Sequence, residues 1–223
     1  PNLPKLKYII SVWDEIPAGT IPLRDMVEEP IEARYPADFL ENTACPPDEY
    51  SLVLTTSGST GFPKFVEHPV CSRLFIGKVY VEGWNLTRDD IFGMLGPAQA
   101  GPNIAAYLST PLVGTKVVML EHFEAEAALK LIEKEKITVA ALVPAQLALI
   151  LRHPNFGNYD LSSLRVTVCT SAPLAYKLAI EAEEKLGCPI VQYYGSVDAG
   201  GSMINSPDDP QADRLLTAGR PMR

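Results

Sequence analysis

Apolar residues recur along this chain in two alternating patterns. Leu52-Val53-Leu54, Ile91 to Leu95, Lys116 to Leu120, Ile137 to Val143, Leu164 to Cys169 and Pro189 to Tyr193 are short runs rich in branched and aromatic side chains, with the length of buried strands. Between them the spacing changes to three and four. Leu74, Phe75, Ile76, Val79 and Tyr80 predict a core-facing helix, with no site on it, that opens at Pro69 and stops near Gly83. Asn103 to Leu112 predicts a second helix ending at Gly114, and Pro144 opens another that runs to Arg152. Glu124 to Lys136 sets Ala127, Ala128, Leu131 and Ile132 on one face, and Leu174 to Leu186 is closed by Gly187. Strand–helix–strand repetition with continuously apolar strands predicts an α/β fold, a doubly wound, mostly parallel sheet with helices on both faces and right-handed crossovers.

Residues 1–50 read differently. Tyr8 to Trp13 has the content of a strand, but prolines at 17, 22, 30, 36, 46 and 47 punctuate the residues after it and leave one short helical candidate, Leu23 to Glu29. This stretch is read as a connecting segment from a preceding subdomain, and residues 51–223 as the α/β subdomain proper.

The strand at Leu52 runs into Thr55-Thr56-Ser57-Gly58-Ser59-Thr60-Gly61-Phe62-Pro63-Lys64. Glycines at 58 and 61 permit backbone angles closed to other residues and let the main chain approach a ligand. The hydroxyls of Thr56, Ser57, Ser59 and Thr60 add donors beside the backbone N–H groups, and successive N–H groups in such a loop form a concave anion site. Lys64 adds a positive charge at the far end, so the parts suit a polyphosphate. The Walker A pattern does not fit, because Lys64 follows Pro63 rather than Gly, and Phe65 stands where the Ser or Thr that holds magnesium belongs. A plain Ser/Gly linker is the simpler alternative, but a linker has no need to follow directly on a buried strand and end in Pro-Lys. Lys64 to Glu67 reads as a second short strand, which makes the loop the turn of a hairpin.

Three further stretches lie just past the ends of predicted strands, where ligands sit in such sheets. They are Gly96 to Gly101, Thr170 to Pro173, and Tyr194 to Asp198. An aromatic face stacks a purine, and a carboxylate near phosphates holds a hard cation through oxygen. Taken alone, each stretch has a plainer explanation: a close-packed turn around Gln99, a helix start capped by Ser171 or Thr170, and a surface turn at Asp198.

Together these residues carry a resemblance. Thr55 to Lys64 resembles the signature loop of the AMP-forming adenylating enzymes, the superfamily of acyl- and aryl-CoA synthetases, nonribosomal peptide synthetase adenylation domains and firefly-type luciferases. Tyr194-Gly195-Ser196-Val197-Asp198 resembles that family's Y-G-x-T-E motif, Ser171-Ala172-Pro173 its Gly-Ala-Pro segment, and Ala218-Gly219-Arg220-Pro221 the G-R-P turn that leads into its next subdomain. The resemblance implies that Thr56, Ser57, Gly58, Ser59, Thr60 and Gly61 with Lys64 hold the β- and γ-phosphates of ATP. It implies that Asp198 holds Mg²⁺ and shares the catalytic work with Lys64. Tyr194 with Ser171, Ala172 and Pro173 would hold adenine, and Gln192, Tyr193, Gly195 and Ser196 belong to the same cofactor-binding surface. Gln99, Ala100 and Gly101 fall at the mouth of the acyl pocket, where many relatives carry His or an aromatic residue at position 99. The chain departs from the motif twice: Val197 replaces the Thr that touches the α-phosphate, as in some aryl-acid members, and Asp198 replaces the Glu.

The function so implied is an AMP-forming acid–thiol ligase that activates a small carboxylic acid with ATP and passes the acyl group to coenzyme A. The spacing from Lys64 to Glu67-His68 is more similar to that of medium-chain and aryl-CoA synthetases than of peptide synthetases. Loading of a carrier-protein thiol is the first alternative, and a non-catalytic nucleotide-binding or interaction module the second. The resemblance covers nearly all of this chain but less than half of a typical member. It implies a segment without the C-terminal catalytic domain and its lysine, inactive alone.

Composition adds limits. Of the 223 residues, 47% are apolar and 21% charged, as in globular proteins, and the formal net charge of −8 argues against a nucleic-acid partner. No apolar run reaches membrane-span length. The four cysteines and three histidines are dispersed and form no metal-binding pattern. The cysteines read as reduced, mostly buried thiols of a cytoplasmic protein.

Overall fold

Five of the six apolar runs pair into one sheet; the sixth, Leu52-Val53-Leu54, expected as a buried strand, lies instead in a separate two-stranded hairpin with Val53 53% exposed. The computed structural model describes residues 9–11, 15–27, 34–43, 45–56, 61–96, 101–198 and 200–222. Two units are distinct, Pro1–Pro46 and Pro47–Arg223.

In the first unit β1 (Ile10–Ser11) lies parallel to β2 (Ile21–Pro22), and two short helices come next, α1 (Leu23–Val27) and α2 (Phe39–Asn42). Tyr8, Val12 and Trp13 of the strand expected at Tyr8 to Trp13, and the end of the helix expected to reach Glu29, lie outside the described residues.

The second unit begins with a hairpin. β3 (Tyr50–Thr55) pairs antiparallel with β4 (Phe65–Pro69), with Thr55 opposite Phe65. Then come α3 (Val70–Gly83), β5 (Ile91–Met94), α4 (Gly101–Val113), β6 (Lys116–Met119), α5 (Ala125–Glu135), β7 (Val139–Leu142) and α6 (Pro144–Leu151). The chain continues through β8 (Val166–Thr170), α7 (Tyr176–Leu186), β9 (Ile190–Ser196), β10 (Gly200–Ile204), α8 (Gln211–Leu216) and β11 (Arg220–Pro221). The sheet order is β11-β10-β9-β8-β7-β5-β6; β6, β5, β7, β8 and β9 run parallel, and β10 and β11 add antiparallel strands at one edge.

The strands are apolar on both faces because both faces are covered. Ala140, Leu142 and Ile190 point toward α5, α6 and α7, where Leu129, Ile132, Leu147, Ile150, Ala179 and Ala182 are buried. Val139, Ala141, Val166, Val168 and Val191 point the other way, toward Ile76, Val79 and Tyr80 of α3 and Ala105 and Ala106 of α4. Strand alternation makes this division. The two helices on that face cross closely: a Cβ on Gly77 would lie 2.1 Å from the Leu108 carbonyl oxygen.

One ion pair pins the amino-terminal edge. Arg165 Nε donates to Asp90 Oδ1 at 2.7 Å and its Nη2 to Oδ2 at 2.8 Å, while Nη1 and Nη2 also reach the carbonyls of Trp84 and Asn85. Thr138 Oγ1 and Thr87 N donate to the same carboxylate. These hydrogen bonds outweigh burial and hold the Asp90 carboxyl down at about 2.

Some expectations are corrected. β9 does not end at Tyr193; it runs through Ser196, because β10 pairs with it antiparallel, Gly200 opposite Ser196 and Gly201 opposite Gly195. The edge formed by β10, α8 and β11 is too short and too rich in Gly, Ser and Pro to announce itself in apolar spacing. Pro69 caps α3 rather than opening its first turn. Only two of the cysteines are buried, Cys169 and Cys188; Cys45 and Cys71 are exposed.

Candidate functional site

Two clefts open beyond the carboxyl ends of β8 and β9. One, of about 400 Å³, is lined by Ser171, Ala172, Pro173, Gln192, Tyr193, Tyr194 and the end of α8 from Leu215 to Ala218. The other, of about 650 Å³, is lined by Thr55 and Thr56 of the hairpin, Arg73, Ile76 and Tyr80 of α3, Ile104 and Leu108 of α4, and Tyr193, Gly195, Ser196, Val197 and Asp198. Ser171, Tyr193 and Gly195 line both, so the clefts adjoin.

The shared wall depends on unusual backbone. Ser171 has φ of 72°, a left-handed conformation that only glycine adopts without strain. That is the physical reason for glycine at this place in the resembling motif. Gly195 admits no side chain, since a Cβ would lie 2.6 Å from both the Gly200 carbonyl oxygen and the Tyr193 hydroxyl. Thr170 Oγ1 donates to the Tyr193 carbonyl at 2.7 Å and ties β8 to β9.

Alternation along β9 sends its two tyrosines different ways. Tyr194 is 59% exposed and stands beside Ala172 and Pro173. Tyr193 turns inward and meets Tyr80 edge to face at 5.1 Å, while Tyr80 stacks on Trp84 at 4.6 Å. Burial raises the Tyr80 phenol far above its ordinary range, and Tyr193 above it too, so both are neutral hydroxyls. The Gln192 amide donates to the carbonyls of Arg214 and Thr217 at 2.9 and 3.1 Å. It fastens the far wall of the smaller cleft. Glu183 and Arg214, ion-paired beneath that wall, hold α8 against α7 and β9. Burial pushes the Cys169 thiol up to about 12, so at this wall it is no nucleophile.

At the hairpin, Thr56 and Lys64 close the base of the loop. Lys64 N donates to Thr56 Oγ1 and Thr56 N to the Lys64 carbonyl, both at 3.0 Å. Lys64 is exposed, and Thr56 faces the larger cleft. Ser57, Gly58, Ser59 and Thr60 lie outside the described residues. Gly61 has no positive φ, and a Cβ there would meet nothing within 4 Å, so the freedom expected of it is not used here. Gln99 and Ala100 lie outside the described residues, and Gly101 is the first residue of α4 rather than part of a turn.

Ser196, the last residue of β9, and Asp198, on the turn to β10, are exposed at the rim of the larger cleft. Among the described residues no group of three or more His, Cys, Asp or Glu gathers as a metal cage. A single carboxylate suffices for magnesium, which keeps several waters and takes its other ligands from substrate phosphates. Asp198 fits that need.

The α3 helix, expected only to face the core, lends three residues to the cleft. Arg73 precedes Ile76 by three and Tyr80 by seven, so it lies on the apolar stripe; a charge there was the signal to find. Its Nη2 donates to His68 Nδ1 at 2.5 Å. Burial and then the Arg73 charge lower the His68 pKa, which keeps this imidazole neutral.

Comparison with known proteins bears on the whole chain. The model of the "AMP-binding enzyme" family matches residues 5–223. The medium/long-chain fatty-acid–CoA ligase FadD8 of Mycobacterium tuberculosis is 29% identical over 191 residues, which are 85% of this chain and 33% of that protein. A feruloyl-CoA synthase of an Amycolatopsis species is 30% identical over 187 residues, 78% of this chain and 35% of that one. Among solved structures, the O-succinylbenzoate coenzyme A synthetase of Bacillus subtilis, in complex with ATP and a magnesium ion, superposes with a TM-score of 0.69 at 25% identity, over 79% of this chain and 36% of that one. The chain spans about a third of the length of these curated relatives. It belongs to the AMP-binding enzyme family.

Proposed function

We propose that the whole protein is an AMP-forming acid–thiol ligase. The observation that carries this is the pair of adjoining clefts at the carboxyl ends of β8 and β9, one walled by Tyr194, Ala172 and Pro173, the other rimmed by Thr56 and Asp198. In this reading the smaller cleft takes adenine on the exposed Tyr194 face. The hydroxyls and N–H groups of residues 56–61, with Lys64, take the β- and γ-phosphates. Asp198 would hold Mg²⁺, which supplies charge neutralisation at the phosphates.

The acid enters the larger cleft. Its carboxylate oxygen bonds to the α-phosphorus of ATP, the bond to the bridging oxygen of the β-phosphate breaks, and pyrophosphate leaves with that electron pair. A thiol sulfur then bonds to the acyl carbon, the acyl–oxygen bond breaks, AMP departs and the thiol proton passes to solvent. This chain's part is to place the two substrates and to stabilise charge where it develops. The names of the curated relatives favour coenzyme A as the thiol. The test is ATP–pyrophosphate exchange by the full-length protein against a panel of carboxylic acids. Exchange that requires both an acid and Mg²⁺ is expected; an ATPase that releases ADP and phosphate contradicts the reading.

A further inference from the structure

Arg73 is 8% exposed, and among the described residues no carboxylate pairs with it. The contrast with its peers is clear: Arg214, equally buried, pairs with Glu183, and Arg165 with Asp90. An arginine does not shed its proton inside a protein, and a buried charge without a counter-ion carries its desolvation cost unrelieved. His68 accepts one hydrogen bond but is neutral, and among the described residues Arg73 Nε has no hydrogen-bond partner. A folded chain keeps such a group where a ligand completes it.

The surroundings say which ligand. Arg73 lies on the inner wall of the larger cleft, with Ile76, Tyr80, Ile104 and Leu108. Ile76 and Tyr80 are 5% and 3% exposed, whereas Ser196 and Asp198 are exposed at the rim. A polyphosphate is a poor match for that apolar and aromatic wall, while the carbon body of an organic acid suits it. Adenylation takes place at the rim, so an inner cation meets the end of the acid remote from the reacting carboxylate.

We propose that Arg73 is the specificity residue that pairs with a second carboxylate at the far end of the acid substrate, so that the protein's acid is a dicarboxylate. This rests on the ligase reading above.

The test uses the full-length protein as wild type, Arg73→Met and Arg73→Lys. Acid-dependent pyrophosphate exchange and calorimetric acid binding are measured in parallel, for linear and aromatic dicarboxylic acids and for monocarboxylic acids of equal length. Wild type is expected to favour dicarboxylates by about 10- to 100-fold, the range of a charge-assisted hydrogen bond. Arg73→Met abolishes the preference and leaves the KM for ATP within about twofold. It also raises the melting temperature of the unliganded protein, because it removes an uncompensated charge. Arg73→Lys keeps part of the preference. An arginine with a merely structural role would lower the melting temperature and move all acids alike. The proposal is overturned if wild type shows no preference, if Arg73→Met retains it, or if Arg73→Met raises the KM for ATP instead. Dicarboxylate binding that vanishes in Arg73→Met, in a protein that exchanges no pyrophosphate, supports the pairing and contradicts the ligase reading. Exchange supported by monocarboxylates alone contradicts the pairing and supports the ligase reading.

Discussion

Tyr193 and Tyr194 are neighbours in β9 with opposite duties: Tyr193 packs its ring edge-on against Tyr80 at 5.1 Å, and Tyr194 leaves its ring 59% exposed beside Ala172 and Pro173. Two substitutions separate these duties. Tyr194→Ala should raise the KM for ATP about 10-fold or more, from the ~1–3 kcal/mol of base stacking, with stability unchanged. Tyr194→Phe keeps the stacking face and should stay near wild type. Tyr193→Ala should cost about 3 kcal/mol of stability, as loss of a packed aromatic ring does. Initial rates and urea unfolding on the three variants check this.

Asp198 is one methylene shorter than the Glu of the resembling motif. Asp198→Asn keeps the shape and removes the charge. It should lower turnover about 10-fold or more and raise the Mg²⁺ concentration needed for half-maximal rate, with adenosine binding little changed. Asp198→Glu should be tolerated. Turnover measured across a magnesium titration decides it; an Asn variant with unaltered magnesium dependence makes Asp198 a turn residue only.

The Asp90–Arg165 pair sets an acid limit. The folded carboxyl titrates at about 2, below the 3.8 of an unperturbed aspartate, so its contribution is fully present above pH ~4 and is lost as pH falls toward 2. Asp90→Asn should lower stability at pH 7 by about 2 kcal/mol and flatten its dependence on pH between about 4 and 2. Denaturant midpoints taken across that range test both.

Much of this fold was legible because continuous apolar strands separated by amphipathic helices have few other solutions. The runs at Ile137 to Val143 and Leu164 to Cys169 became β7 and β8, and Gly187 closes α7 in the left-handed conformation, φ 69°. The edge strands β10 and β11 were not legible. They are placed by antiparallel pairing that only glycine admits at points such as Gly219, φ 95°, whose Cβ would lie 2.1 Å from the Ile204 carbonyl oxygen. Thr56, Ser171, Tyr193 and Tyr194, which line the clefts, stood out in the sequence by residue type. Arg73 was passed over: its charge on the apolar stripe could be read, but that no carboxylate among the described residues pairs with it shows only in the packing.

Ser171 offers a test of strain. Ser171→Gly relieves a left-handed conformation that costs roughly 1–2 kcal/mol in other residues, offset in part by the entropy of a freer unfolded chain. Stability should rise by up to about 1 kcal/mol, with nucleotide binding retained. Gly195→Ala should act oppositely, because its Cβ meets backbone oxygen at 2.6 Å. It should destabilise by about 1–3 kcal/mol and weaken nucleotide binding, as read by thermal melts with and without ATP.

The most direct measurement of the central claim tracks the oxygen. The acid that supports exchange in the full-length protein is labelled with ¹⁸O in its carboxylate, a single turnover with ATP and coenzyme A is run, and AMP is analysed by mass spectrometry. Attack of the carboxylate on the α-phosphorus leaves one of its oxygens on that phosphorus when the thiol takes the acyl group. The account predicts one ¹⁸O in each AMP formed; AMP that carries no label would contradict it.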